Sequence, residues 1–149
     1  MSENAAKHGD WRPKVLVITT ELCSYPGIDT VGQMHLDYPA HFYPIRTFSP
    51  VLFPEEFYLR CFEQGFDAIL IASCGTDCPY TGAYERTAAR VDRVYQLMKE
   101  RGIDTRRLRL TAICSVCTRA FLREVEQLSQ VLEELGPVAQ EMEGHRGEQ

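Results

Sequence analysis

Apolar positions along the chain follow two alternating periods. Lys14-Val15-Leu16-Val17-Ile18-Thr19-Thr20 is a short β-branched run without polar alternation, which predicts a strand buried on both faces. A turn at Cys23-Ser24-Tyr25-Pro26-Gly27 follows. Ile28, Val31 and Met34 or His35 then recur at helical spacing and predict a short helix over 29–36. His41 to Phe48 reads as a second strand, weakened by Pro44. Pro54-Glu55-Glu56 predicts a helix first turn, with proline at the first helical position and acids facing the positive dipole end. Phe57, Tyr58, Cys61 and Phe62 form its apolar face, and Gly65 ends it. Asp67 to Ser73 is the clearest strand of the chain.

Tyr84 to Arg101 carries Ala88, Val91, Val94 or Tyr95, and Met98 on one stripe and predicts a long amphipathic helix, stopped by Gly102. Arg107 to Ile113 is the fourth strand. Phe121, Leu122, Val125, Leu128, Val131, Leu132 and Leu135 stripe the last helix, which Gly136-Pro137 terminates. Four strands alternating with four helices predict an α/β fold: a small doubly wound, four-stranded parallel sheet with right-handed crossovers and helices on both faces. Residues 14–137 form the expected α/β domain, and the polar, aperiodic stretches 1–13 and 138–149 read as loose tails. Ligands of such folds sit beyond the carboxyl ends of the strands.

Length, 149 residues, suits one well-cored domain. No apolar run approaches the roughly 18 residues a membrane span needs, and Met1 to Asp10 lacks the apolar core of a secretory signal, so a cytoplasmic protein is expected. A formal charge of −5 offers no electrostatic reason to expect nucleic acid. Chemistry enters with the six cysteines. Four histidines (His8, His35, His41 and His145) are scattered and form no ligand spacing.

Cys23 lies just past the first strand. Cys74 and Cys78 lie at the end of the third strand and in the turn after it. Cys114 and Cys117 lie at the exit of the fourth strand. Five cysteines from three strands are thus predicted at one sheet edge, whereas Cys61 sits on a helix face and reads as a small core hydrophobe. Thiolates are soft ligands, and four within reach of one another suit an iron–sulfur cluster or zinc. Helix amino termini near Cys78 and Cys117 favour the thiolate form. Arg86, Arg90 and Arg119 are candidates to offset cluster charge near that edge, and Tyr25 and Tyr80 to line it. Two other readings stay open: a zinc-stabilised docking protein, and a dithiol–disulfide protein using Cys114-Ser115-Val116-Cys117. There is no Gly-x-Gly-x-x-Gly after the first strand and no phosphate-binding Gly-Lys-Ser/Thr loop. Cys114 and Arg119 are one residue too close for a phosphatase-type pair, so hydrolytic catalysis is not expected.

From about Val15 to Pro137 the chain resembles the delta subunit of methyl-viologen-reducing hydrogenase. The resemblance rests on Glu-Leu-Cys-Ser-Tyr-Pro-Gly-Ile-Asp after the first strand, Phe-Glu-Gln-Gly-Phe-Asp-Ala-Ile-Leu-Ile-Ala-Ser-Cys, Asp-Cys-Pro-Tyr-Thr-Gly, Arg-Gly-Ile-Asp-Thr-Arg-Arg-Leu-Arg-Leu and the closing Leu-Gly-Pro, in that order. It implies a two-iron, two-sulfur cluster. It also implies an electron-transfer subunit that works between a hydrogenase or formate dehydrogenase and a flavin-bearing, heterodisulfide reductase-like partner. This sequence departs from the family pattern at several points. Thr20 stands where the family's first turn has a cysteine, and Phe48-Ser49 where another follows the second strand. Cys74 and Cys78 are separated by three residues instead of four, and Pro79 replaces a histidine. The resemblance, with Cys114 and Cys117 added, implies a moved ligand set drawn from Cys23, Cys74, Cys78, Cys114 and Cys117.

Overall fold

The computed structural model describes residues 8–148. Four strands form one parallel sheet: β1 (Val15–Thr20), β2 (Phe42–Thr47), β3 (Ala68–Ser73) and β4 (Leu108–Ala112). Their spatial order is β2-β1-β3-β4, with Val17 opposite Pro44 and Leu70, and Ser73 opposite Ala112. Five helices accompany them: α1 (Ser24–Gln33), α2 (Glu55–Glu63), α3 (Ala83–Glu100), α4 (Thr118–Leu135) and α5 (Val138–Gly147).

β1 and β3 are buried along their whole length because each face meets its own helical layer. Leu16, Ile18, Ile69, Ile71 and Leu108 pack with Tyr58, Leu59 and Phe62 of α2 and Val91, Val94 and Met98 of α3. On the opposite face, Val15, Val17, Ala68, Leu70 and Ala72 pack with Ile28 and Val31 of α1 and Phe121, Val125, Leu128 and Leu132 of α4. The period of two along the strands therefore sorts the core into two clusters. The doubly wound expectation holds, and the helices that follow the neighbouring strands β1 and β3 lie on opposite faces. Their carboxyl ends define the topological switch point.

β2 is an edge strand. The bonds from Val15 N–H to the His41 carbonyl and from Glu21 N–H to the Thr47 carbonyl use odd-numbered residues, so position 44 faces away from β1. Proline is tolerated there because its missing N–H was never owed to the ladder.

Two differences from expectation carry physical reasons. The stretch Ser24-Tyr25-Pro26-Gly27, expected as a turn, is the first turn of α1. The first four amides of a helix have no intrahelical partner, so Pro26 forfeits nothing there. The second difference is at 138–149, expected as a loose tail, where Val138–Gly147 is α5. Its anchor is a buried cluster at the amino edge of the sheet. The Arg107 side chain is 0% exposed and donates to the Asp67 carbonyl (3.1 Å), the Gly136 carbonyl (2.8 Å) and the Glu141 carboxylate (2.9 Å). The Asp67 carboxylate accepts from the amides of Lys14 (2.9 Å) and Val138 (3.0 Å). Val138 itself is buried in the first core. Of the expected amino-terminal tail, residues 1–7 lie outside the described residues. Within 8–13, Trp11 packs half-buried against the second core, and the His8 ring meets the Glu133 carbonyl at 3.2 Å.

A guanidinium this deeply buried is stable only while its acceptors remain. Replacing Arg107 by Met should lower the unfolding free energy by about 3 kcal/mol, because Glu141 and two carbonyls lose their donor. Urea denaturation monitored by circular dichroism measures this. An unchanged midpoint would show that the cluster does not hold α5 in place.

Candidate functional site at the carboxyl edge of the sheet

All four strands leave the sheet at the same edge, and the register decides which loops meet there. Ser24 organises the centre. Its side chain is 0% exposed, accepts the Thr20 amide (2.8 Å) and donates to the Ala72 carbonyl (2.6 Å). One hydroxyl thus ties the end of β1, the start of α1 and the end of β3. Cys23, directly before it, caps α1, and Cys74, two residues past Ala72, precedes a 3-10 turn over Gly75–Asp77. The two cysteines, 51 residues apart in sequence, are joined as a disulfide with their Cα atoms 5.5 Å apart.

β4 delivers the third loop. Beyond the pair Ser73 and Ala112, the Ile113 amide donates to the Ser73 carbonyl (2.7 Å), which extends the ladder one residue further. Cys114 follows and is bonded to Cys117, the residue that caps α4, with Cα atoms 5.1 Å apart. This loop presses on the first turn of α1. A Cβ at Gly27 would lie 2.7 Å from the Cys114 carbonyl oxygen and 3.4 Å from the backbone of Ser115. Only glycine allows this approach. Gly75 is likewise constrained, with φ at +67° and space for a Cβ limited by Ala112 at 3.1 Å.

The five expected residues all stand in loops that leave the carboxyl ends of β1, β3 and β4, and the structure brings them together as two pairs. Cys23 with Cys74 and Cys114 with Cys117 are disulfides, and Cys78 is a free, half-buried thiol. Cys61 stays apart, buried in the first core, where burial pushes its thiol up to about 11. As paired here, the sulfurs form no cluster of three or more Cys, His, Asp or Glu side chains able to hold a metal among the described residues. The donor set itself suits a thiolate-bound iron–sulfur cluster, with five soft sulfurs where four are needed, once the two disulfides are opened.

Arg90 is turned elsewhere. It donates to the carbonyls of Val51 (2.5 Å) and Phe53 (2.7 Å) and pairs with Glu55 (3.8 Å), closing the loop after β2. Arg86 folds back beside Gly82. Arg119 is exposed. Tyr25 lies beneath Arg46, whose guanidinium carbon is 5.3 Å from its ring centre, and Tyr80 packs on Phe48 at 5.0 Å. An apolar rim, which the cysteine pattern did not point to, surrounds the edge. Leu22, Phe48, Leu52 and Val116 are exposed, and all four leave the carboxyl ends of β1, β2 or β4. Their signal lay in the sequence as large apolar residues in loop positions, Leu22 and Val116 beside cysteines and Phe48 and Leu52 after the second strand.

Comparison with known proteins decides the family. Residues 15–136 match the model of the methyl-viologen-reducing hydrogenase delta subunit. The chain belongs to this family. It is 30% identical over 139 residues to a ferredoxin:CoB-CoM heterodisulfide reductase subunit of Methanosarcina mazei, covering 93% of this chain but 18% of that protein. The chain thus spans less than a fifth of that relative. It is also 26% identical to the F420-non-reducing hydrogenase vhc iron-sulfur subunit of Methanococcus voltae, over 86% of this chain and 90% of the relative. The F420-non-reducing hydrogenase iron-sulfur subunit of Archaeoglobus profundus is 24% identical over 86% of this chain and 94% of its own length. Among the described residues no helix is long and apolar enough to cross a membrane.

The geometry of the edge can be checked at two residues. Ser24→Ala removes the partner of a buried amide and of a buried carbonyl and should cost about 1–3 kcal/mol, read from the urea midpoint; an unchanged midpoint would mean that the hydroxyl is dispensable. With the disulfides intact, iodoacetamide at pH 8 should alkylate Cys78 and leave Cys61 unmodified. A raised thiol pKa keeps Cys61 protonated there, and the thiolate is the nucleophile. Peptide mass spectrometry separates the two sites, and equal labelling would overturn the assignment.

Proposed function

We propose that this chain is an electron-transfer subunit of an oxidoreductase complex, holding one two-iron, two-sulfur cluster and exchanging electrons with a flavin-bearing, heterodisulfide reductase-like partner. The observation that carries the reading is that five cysteines stand in the loops leaving the carboxyl ends of three neighbouring strands, four of them already paired. Family membership supports it, as does the span of the relatives. This domain matches nearly the whole of two hydrogenase iron-sulfur subunits, and it also matches a fraction of a longer heterodisulfide reductase chain. A module found both free and within a longer chain favours a partner of the kind it is joined to.

The ligands would be four thiolates from Cys23, Cys74, Cys78, Cys114 and Cys117. When bound, such a cluster takes up and passes on single electrons. What the chain supplies is position. The Ser24 hydroxyl and the close packing at Gly27 fix three loops relative to one another. Leu22, Phe48, Leu52 and Val116 present an apolar rim that a partner can cover, excluding water from the edge. Bond-making on a substrate is not assigned to the chain.

The test is metal and sulfide analysis with an absorption spectrum, on protein purified anaerobically in the presence of a dithiol. Iron and acid-labile sulfide in equal amounts, with visible bands that bleach on dithionite, are expected. Cys74→Ser should lose them, and Cys61→Ser should keep them and lose only stability. Zinc in a colourless protein would replace the electron-transfer reading with a docking role. Undiminished iron in Cys74→Ser would overturn the ligand set.

A further inference from the structure

The sheet has two open margins, and they are not alike. β4 pairs with β3 alone. The Ile113 amide donates inward to the Ser73 carbonyl (2.7 Å), and bonding positions alternate along a strand, so residues 109, 111 and 113 face β3. Positions 108, 110 and 112 therefore face away from the sheet. Leu108 is already closed at both groups. Its amide is given to the Thr105 carbonyl, and its carbonyl accepts the Tyr95 hydroxyl (2.9 Å). Past Ile113 the chain turns inward to α1, where the Cys114 carbonyl meets Gly27. What stays open is a short stretch centred on Thr111, with the amides and carbonyls of Leu110 and Ala112 on its outer side. Ala112 is exposed and Leu110 half-buried. Proline and outward charge are the usual guards of such an edge. β4 has no proline, and its one charged side chain, Arg109, is drawn back onto α4 by Gln127 (3.0 Å) and Glu124 (3.0 Å).

We infer that β4 is a docking edge for a second copy of this chain, paired antiparallel across a two-fold axis at Thr111. In that register the Leu110 amide of each copy donates to the Ala112 carbonyl of the other, and the Ala112 amide to the Leu110 carbonyl. Every open group of the stretch then has a partner. Sliding the copies by one residue would set outward groups against inward ones. Sliding them by two would bring Ala112 against Leu108, whose amide is already spent. A second copy is the occupant because the open groups are their own complement under the two-fold rotation. Side chains agree with this register. Thr111 faces Thr111, a favourable cross-strand pair, and Arg109 faces Ile113, so no like charges meet across the strands. The product is one sheet in the order β2-β1-β3-β4-β4-β3-β1-β2. Both of its outer margins are β2, where Pro44 withholds a donor, and association closes at two copies. The inference does not rest on the electron-transfer reading.

The test uses the full chain. Light scattering after size exclusion, over a wide range of loading concentrations, should show the mass rise from 17.0 kDa toward twice that value. Amide hydrogen exchange read by nuclear magnetic resonance locates the contact. The Leu110 and Ala112 amides should exchange about tenfold more slowly at high concentration than at low, whereas those of Arg109 and Thr111, bonded to β3, should be protected at both. Leu110→Pro removes only an outward donor, as Pro44 does in β2, and should hold the mass at 17.0 kDa with the circular dichroism unchanged. Should that variant fail to fold, Thr111→Lys sets like charges across the axis and should weaken association about threefold or more. A mass of 17.0 kDa at every concentration overturns the inference. So does a dimer whose Leu110 and Ala112 amides exchange as fast as in the monomer, because the copies then meet through another surface, such as the apolar rim. The concentration dependence of the wild type decides the question without either variant.

Discussion

Parallel pairing is the constraint from which the rest of this molecule follows. Because β1, β3 and β4 run the same way in a fixed register, the residues that follow them must emerge side by side at one edge, however far apart they lie in the chain. Cys23 and Cys74 meet for this reason across 51 residues of sequence. The apolar strand bodies supply the driving force. A fully buried Leu or Ile contributes about 1.5–3 kcal/mol, and both faces of β1 and β3 are buried. The chemistry sits at the edge because the strand interiors, covered on both sides, have no room for it.

The two edges of the sheet are held by different physics. At the amino edge a buried guanidinium and a buried carboxylate consume the loose backbone groups of three segments and draw α5 onto the core. That cluster leaves its polar groups partnered and rigid. At the carboxyl edge the ties are hydroxyls, those of Ser24 and Thr47, together with covalent sulfur bonds. One end of the domain is thus held by buried charge, and the other by hydroxyls and sulfur bonds.

Much of this was legible in the sequence. The apolar runs placed β1 and β3 to within about two residues, since burial on both faces leaves an uninterrupted apolar signature. The cysteine edge was legible because topology follows from element order. Sulfur pairing was not legible, for spacing cannot say which neighbour across a sheet a thiol meets. The start of α1 was hidden because Ser-Tyr-Pro-Gly satisfies turn and helix first turn equally; Gly27 is decided by a carbonyl delivered from Cys114, far along the chain. The helix at 138–147 was illegible because its anchor is not local. The Asp67 carboxylate that binds the Val138 amide lies 71 residues upstream. Arg107 looked like the first residue of a strand and turned out to be the keystone of the opposite edge.

Pro44 has a consequence for how this domain meets other chains. An open sheet margin invites a foreign strand to continue its ladder, and β2 lies at such a margin. Along it the outward positions are 42, 44 and 46. The Phe42 amide is already given to the Pro39 carbonyl, Pro44 has none, and only Arg46 is left to donate. A strand laid beside β2 would find outward carbonyls but a single free amide donor. Lengthwise stacking of sheets is weakened at that side by the shortage of donors, which favours partners that bind through side chains.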